Sequence, residues 1–263
     1  MPEIGYSTKL LGVLGENISY TLSPAIHNFV FQSLGIDAVY LAFDVKSEKF
    51  DETIKGLINL AYGFNVTIPY KERVMPYLSG LSEEAMRVGA VNTVKEGFGY
   101  NTDYLAIKDL VGKAIESPKV CTVFGAGGAA RAVVMALVDL GCEVHIVNRT
   151  LKKAEDLAFW VVEKGGRAKV VQSCPDNQDL VANTTPNPDF VPDACVKGKV
   201  ALEMVYKPLR TSLIARAEAS GMKTVNGLQV LVRQALEADR IWFGKSLSDE
   251  EVLNYLSARK LVR

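Results

Sequence analysis

The chain has 263 residues, room for one large domain or two modest ones. Hydrophobic residues make up 48% and charged residues 23%, enough for a real core beneath an ordinary surface. Lys+Arg is 30 and Asp+Glu is 30, so the formal charge is zero, which excludes a global pull toward nucleic acid or an anionic membrane. Read in chain order, Leu10–Gly15 predicts a strand and Ser23–Leu34 a helix, with Pro24 in its first position and Ser23 as its cap. Val39–Asp44 predicts a strand, Glu48–Leu60 a helix, and Gly63–Thr67 a short strand ended by Pro69. A helix is expected to start near Tyr70, and Ala90–Val94 is strand-like.

A second series follows Pro118: strand Val120–Phe124, tight loop Gly125–Gly128, helix Ala129–Leu140, strand Glu143–Asn148 and helix Leu151–Lys164. Further strands are expected at Lys169–Val171, Leu180–Asn183, Val200–Met204 and Lys223–Val225. Helices Gly227–Phe243 and Asp249–Ala258 complete the chain, the last packing back on the first domain. Such alternation predicts an α/β fold, with a doubly wound sheet in the second half. Linkers are expected near Tyr104–Lys113 and Gln229–Ala238, and loops at Ser173–Gln178 and Pro186–Pro192.

The four cysteines, Cys121, Cys142, Cys174 and Cys195, form no C-x-x-C pair. With only His27 and His145 beside them they make no zinc site, so no metal is expected. They read as reduced structural residues. The absence of a basic-then-apolar leader or a spanning apolar run points to the cytoplasm.

The strongest self-standing motif is Gly125-Ala126-Gly127-Gly128-Ala129-Ala130-Arg131, between an apolar strand and a helix. That is the context a dinucleotide fingerprint requires. Gly125 permits the turn, Gly127 a close approach of the backbone to pyrophosphate, and Ala130 the helix–strand packing. The helix N-terminus offers N–H donors to the phosphates. The next strand ends Asn148-Arg149-Thr150, with Lys152 and Lys153 beyond. No carboxylate stands there to repel a 2′-phosphate, while the Arg149 guanidinium can face one, with Thr150 and Asn148 adding hydrogen bonds. The expected cofactor is therefore NADP rather than NAD.

Several short signatures follow one another along the chain. They are Thr21-Leu22-Ser23-Pro24, Asn65-Val66-Thr67-Ile68-Pro69-Tyr70-Lys71, Gly89-Ala90-Val91-Asn92-Thr93-Val94, Asn101-Thr102-Asp103, Asn183-Thr184-Thr185-Pro186, Tyr206-Lys207-Pro208 and Gly227 through Gln234. Together they resemble the shikimate dehydrogenase family, from about Leu11 to Gly244. The resemblance implies an N-terminal α/β substrate domain, a Rossmann NADP domain and an active site in the cleft between them. It places the substrate domain at residues 1–105, completed by helices in 236–263, and the NADP domain at 106–235.

The implied reaction is reversible NADPH-dependent reduction of 3-dehydroshikimate to shikimate, in aromatic amino-acid biosynthesis. Residue by residue, the resemblance makes Lys71 and Asp103 the catalytic pair. Hydride delivery to a ketone leaves charge growing on its oxygen, which a positioned ammonium can stabilise and protonate. Thr21 and Ser23 would hold the substrate carboxylate, with Tyr206 nearby. Thr67, Asn92 and Gln234 would bond the ring hydroxyls, and Asn65 would be structural or orient Lys71. Gly125, Ala126, Gly127, Gly128, Ala129, Asn148, Arg149, Thr150 and Lys153 would hold NADP, while Met204 and Gly227 would line its nicotinamide. The partners implied are small molecules, not nucleic acid or membrane, and the state a monomer or homodimer. The chain departs from the family pattern at Thr21, at Glu203, in the loop Asn187-Pro188-Asp189 and at Gln229-Val230. Thr21 leaves quinate open as a substrate. A sensing module of the same fold would have lost Lys71, Asp103 or the glycine loop, and all are present.

Overall fold

Short apolar runs alternating with amphipathic stretches fold, in the computed structural model, into two α/β units, with residues 4–262 described. The first unit comprises the described residues up to Thr102 together with Val232–Val262, and the second is Asp103–Leu231. The outermost residues of the expected domains, 1–3 and 263, lie outside the described residues.

The first unit opens with β1 (Lys9–Gly15), α1 (Ser23–Ser33), β2 (Ala38–Asp44), α2 (Phe50–Leu60) and β3 (Gly63–Val66). It continues through β4 (Gly80–Leu81), α3 (Glu83–Val88), β5 (Thr93–Lys95) and β6 (Phe98–Tyr100). The strands order as β2-β1-β3-β5-β6-β4, with β1 parallel to β2 and β3, and β5 antiparallel to β3 and β6. The last five residues of β1 are buried, as expected for an interior strand covered on both faces. Glu96 and Gly97, both at positive φ, make the tight two-residue turn between β5 and β6. Phe50, Ile54, Phe64, Val66, Tyr70, Val74 and Val91 form a core beneath this sheet.

Helix α4 (Thr102–Ala114) leads into the second unit. There follow β7 (Val120–Phe124), α5 (Gly128–Asp139), β8 (Glu143–Val147), α6 (Leu151–Glu163), β9 (Arg167–Val170), β10 (Leu180–Asn183), β11 (Val200–Glu203), α7 (Ser212–Ala219) and β12 (Lys223–Val225). These strands are all parallel, in the order β12-β11-β10-β7-β8-β9. This is the doubly wound arrangement, whose order reverses between β7 and β10. Helices α8 (Gly227–Phe243) and α9 (Asp249–Ala258) end the described chain. From Val232 onward they belong to the first unit. There the Trp242 indole donates to Val94 O (2.9 Å), and Tyr255 stacks on Phe29 with ring centroids 3.9 Å apart.

Four expectations need correction. No α-helix starts at Tyr70: residues 71–74 turn, and a single 3-10 turn follows at Met75–Tyr77. Pro76 has no N–H with which to continue a helix. Ser23 is not the cap of α1. That position is Leu22, and no side chain caps the helix. The segments expected to be linkers lie in helices α4 and α8.

The cysteines are paired, Cys121 with Cys142 and Cys174 with Cys195, at Cα separations of 5.9 and 5.5 Å. Both separations suit a disulfide. Each pair spans 21 residues, so only the fold brings its members together, and a search for short cysteine spacings does not find them. For the first pair the cause is the parallel register of β7 and β8, which sets Cys121 beside Val144.

Candidate active site

In the first unit the backbone enters α1 through a local hydroxyl pair. Thr21 Oγ1 donates to Ser23 Oγ (3.2 Å) and accepts from Ser23 N (3.3 Å). Thr21 is half-buried and Ser23 buried, and the first turn of α1 holds no acidic residue. Two hydroxyls thus stand at a helix N-terminus without a competing carboxylate, an arrangement suited to an anion.

Thr67 follows β3 directly. Its N–H donates to Leu14 O (2.8 Å) and its carbonyl accepts from Tyr70 N (2.9 Å). Tyr70 is an anchor: its ring stacks on Phe50 and its hydroxyl donates to Val45 O (2.6 Å). Lys71 comes next, half-buried, its carbonyl accepting from Val91 N (2.8 Å). The backbone under the Lys71 side chain is thereby held on both sides.

Beside it lies a buried polar cluster. Asn92 is 2% exposed and Gln234 8%. Asn92 Nδ2 donates to Thr102 Oγ1 (3.0 Å) and Gln234 Oε1 (3.4 Å). Its Oδ1 accepts from Thr102 N (2.7 Å) and Thr93 Oγ1 (3.1 Å). Asn65 Nδ2 donates to Asn92 O (3.0 Å) and Thr93 Oγ1 (2.9 Å), which assigns Asn65 a structural place in the cluster. Fully buried amides satisfied this way are held in one rotamer. Thr93 and Thr102 are members that sequence reasoning passed over. In the sequence they are an ordinary strand threonine and a helix-start threonine. The signal was two adjacent polar pairs, Asn92-Thr93 and Asn101-Thr102.

In the second unit Asp103 lies in the first turn of α4, where its charge complements the helix dipole. The glycine loop follows β7. Gly125 has φ +113°, and a Cβ there would meet Thr184 Oγ1 at 2.4 Å, so only glycine fits. Thr184 is fixed by donating to Phe124 O (2.7 Å). By contrast, a Cβ on Gly127 or Gly128 would meet nothing within 4 Å. These two residues and the start of α5, which no side chain caps, border open space, while Ala130 is buried against the sheet. Ala126 and Ala129 flank them, both half-buried.

At the end of β8, Asn148 donates to Thr150 O (2.9 Å). Arg149, Thr150 and Lys153 are exposed. Thr150 occupies the N-cap position of α6, yet its side chain makes no cap bond. Exposed backbone donors at the glycine loop and exposed cations at the β8 end fit a dinucleotide carrying a 2′-phosphate.

Met204 and Gly227 also meet in this unit, since a Cβ on Gly227 would strike Val205 O at 2.5 Å and Met204 O at 2.8 Å. Glu203 is wholly buried under them. It accepts from Asn183 Nδ2 (3.1 Å), Val205 N (2.9 Å) and Thr211 Oγ1 (3.1 Å), and burial raises its pKa above the ordinary value. Gln229, at a position that departs from the family pattern, exchanges hydrogen bonds with Asn226 (2.9 and 3.0 Å), a capping box at the start of α8. Tyr206 is half-buried in the same unit. Among the described residues no group of three or more His, Cys, Asp or Glu is placed to hold a metal ion, and no helix is long and apolar enough to cross a membrane.

Comparison with known proteins gives these features a common source. Residues 13–94 match the shikimate dehydrogenase substrate-binding domain, and residues 107–191 match the shikimate/quinate 5-dehydrogenase model. The chain is 58% identical to the shikimate dehydrogenase of Sulfurisphaera tokodaii over 262 residues, the whole length of both. A crystal structure of a shikimate dehydrogenase in complex with NADP+ aligns with a TM-score of 0.89 at 33% identity, covering 99% of this chain and 98% of that one. The enzyme of Thermus thermophilus, solved in complex with NADP(H) and shikimate, aligns with a TM-score of 0.84 at 34% identity, covering 97% and 100%. The chain belongs to the shikimate dehydrogenase family.

Proposed function

We propose that this chain performs its family's reaction through the residues described above, with Lys71 and Asp103 as the acid–base pair. The reaction is the NADPH-dependent reduction of 3-dehydroshikimate to shikimate, in aromatic amino-acid biosynthesis. NADPH, when bound, supplies the hydride. Gly125, Ala126, Gly127, Gly128 and Ala129 would hold its pyrophosphate. Asn148, Arg149, Thr150 and Lys153 would hold its 2′-phosphate, and Met204 with Gly227 would line its nicotinamide.

Thr21 and Ser23, with the N–H groups of the first turn of α1 and with Tyr206, hold the substrate carboxylate. Thr67, Asn92 and Gln234 bond the ring hydroxyls, a task suited to groups that both donate and accept. As charge grows on the carbonyl oxygen, the Lys71 ammonium stabilises it and hands over a proton. Asp103 orients that lysine and takes part with it in the proton transfer. The cytoplasm is the fitting location for a step that consumes NADPH. There the burial of Cys121, Cys142 and Cys195 would shield both disulfides from attacking thiols.

The observation that carries this reading is the whole-length match at 58% identity in a chain that keeps Lys71, Asp103 and an NADP-type strand end. The test is absorbance at the NADPH band with shikimate and NADP, run beside NAD and beside quinate. Rapid reduction of NADP with shikimate supports it. A folded protein that binds NADP and turns over neither substrate overturns it. Equal turnover of quinate would widen the substrate range.

A further inference from the structure

His27 and Asp239 form a hydrogen-bonded pair in the core of the first unit, Nδ1 to Oδ1 at 2.7 Å, with both side chains fully buried. The pair is poorly supplied. His27 Nε2 and Asp239 Oδ2 have no hydrogen-bond partner among the described residues. Taking such groups out of water costs more than one hydrogen bond returns, so stability does not account for the pair. Its position does. His27 lies one helical turn after Ser23 on α1, and Asp239 lies on α8, the helix that presents Gln234.

The link continues into the polar cluster. The Tyr40 ring stacks on His27 at 4.2 Å, and its hydroxyl donates to Asn65 Oδ1 (2.6 Å). Asn65 in turn donates to Asn92 O, and Asn92 to Gln234. A closed circuit of buried contacts therefore joins α1, β2, β3 and α8. A buried polar pair contributes weakly to stability, and in some proteins such pairs fix the register between elements.

We propose that His27 and Asp239 are positioning residues that set the spacing between Ser23 and Gln234, with Tyr40 carrying the constraint to Asn65 and Asn92. This rests on the reading of Ser23 and Gln234 as substrate residues. Neither His27 nor Asp239 touches substrate in this scheme. Binding side chains must be held to within about 0.5 Å of their productive geometry, so a small misplacement is enough to weaken binding.

The test uses the whole chain and five variants around the pair and its targets. Asp239→Ala is expected to raise KM for shikimate roughly tenfold. KM for NADP and kcat at saturating shikimate should stay within about twofold of native. Asp239→Asn, which keeps an acceptor for His27 Nδ1–H, should restore most of the shikimate KM. Since Asp239→Ala could fail to fold, the double variant His27→Leu/Asp239→Leu replaces the pair by apolar volume. It should keep the native Tm and still raise KM for shikimate. Ser23→Ala and Gln234→Ala serve as controls. If the controls raise KM for shikimate and the leucine double variant does not, the positioning role is wrong and the substrate assignment stands. If the controls leave KM unchanged, the substrate assignment falls and the positioning role falls with it. A pair variant that raises both KM values alike, or lowers only Tm, also overturns the proposal.

Discussion

The two units present their candidate ligand residues in opposite ways. In the first, Ser23, Asn92 and Gln234 are buried side chains, and Asn92 and Gln234 bond to one another through an amide–hydroxyl cluster. In the second, Gly127 and Gly128 present bare backbone, and Arg149, Thr150 and Lys153 lie at the surface. A polyhydroxylated ring is told from its relatives by the direction of each hydrogen bond, so its partners need fixed rotamers. A pyrophosphate is recognised by charge and by parallel N–H groups, which a turn and a helix end supply without side chains. Substitutions in the two regions should therefore fail differently.

The largest effect is expected from Lys71→Ala. Turnover should fall roughly 10³-fold, within the range of general acid–base contributions. NADP affinity, measured by fluorescence titration, should stay native. Lost NADP binding would assign Lys71 to the wrong region. Next comes Asn92→Ala, which strands Thr102 N–H in the interior and leaves Thr93 and Gln234 short of a partner. The expected loss is about 2–3 kcal/mol in urea unfolding, together with a higher KM for shikimate. Unchanged stability would show that the cluster re-forms without its amide.

Gly125→Ala attacks the other region through the backbone. The positive φ and the contact with Thr184 predict a loss of about 1–3 kcal/mol and weak NADP binding, with shikimate binding by calorimetry unaffected. Arg149→Ala should be gentler still, costing about 1.5–2 kcal/mol of NADP affinity while leaving NAD affinity native. If NAD and NADP weaken together, the arginine is not reading the 2′-phosphate.

The smallest effect is a pH dependence. Glu143 accepts from Lys169 (2.7 Å) and lies 3.0 Å from His145 Nε2, and these partners bring its pKa from 4.5 down to about 2. A carboxylate with a lowered folded pKa stabilises above its unfolded value, and that contribution disappears as the pH falls from about 4.5 through about 2. Because Glu143 is partly exposed, the contribution is only about 0.5–1 kcal/mol. Glu143→Gln should lower Tm slightly at pH 7, and the two proteins should converge below about pH 2. A constant difference down to that pH would assign the loss to packing.

The contrast between the units also explains what could be read in advance. Strands Val120–Phe124 and Leu180–Asn183 and helices Gly227–Phe243 and Asp249–Ala258 coincide with their expected limits, because a buried parallel strand or a long amphipathic helix is a strong local signal. The glycine loop was legible for the same reason, since its chemistry lies in consecutive residues. The missed elements are short: β4 has two residues, β6 three and α3 six. Too little periodicity exists there to read. Helix α7, of eight residues, was missed as well, although Thr211 caps it by accepting from Ile214 N. The amide cluster joins positions 65, 92, 93, 102 and 234. Apart from the neighbours 92 and 93 they are far apart in the chain, and only their joint resemblance to a family singled out Asn92 and Gln234. Thr93 and Thr102 stayed hidden because their role exists only once the sheet has formed. The disulfides stayed hidden for a like reason, since each joins cysteines 21 residues apart that come together only in the fold.

Trp242, the largest fully buried side chain, belongs to the stretch that closes the first unit, Val232–Val262. On a ribosome that stretch emerges only after every residue of the second unit has been made. Nascent chains commonly fold their N-terminal domain first, at synthesis rates of about 5–20 residues per second. Here the order is inverted. The second unit is complete while the first still lacks the indole that bonds Val94. For the seconds in between, the nascent first unit carries an unfilled apolar seat, and its exposure to chaperones and proteases is set by how fast the last two helices leave the exit tunnel.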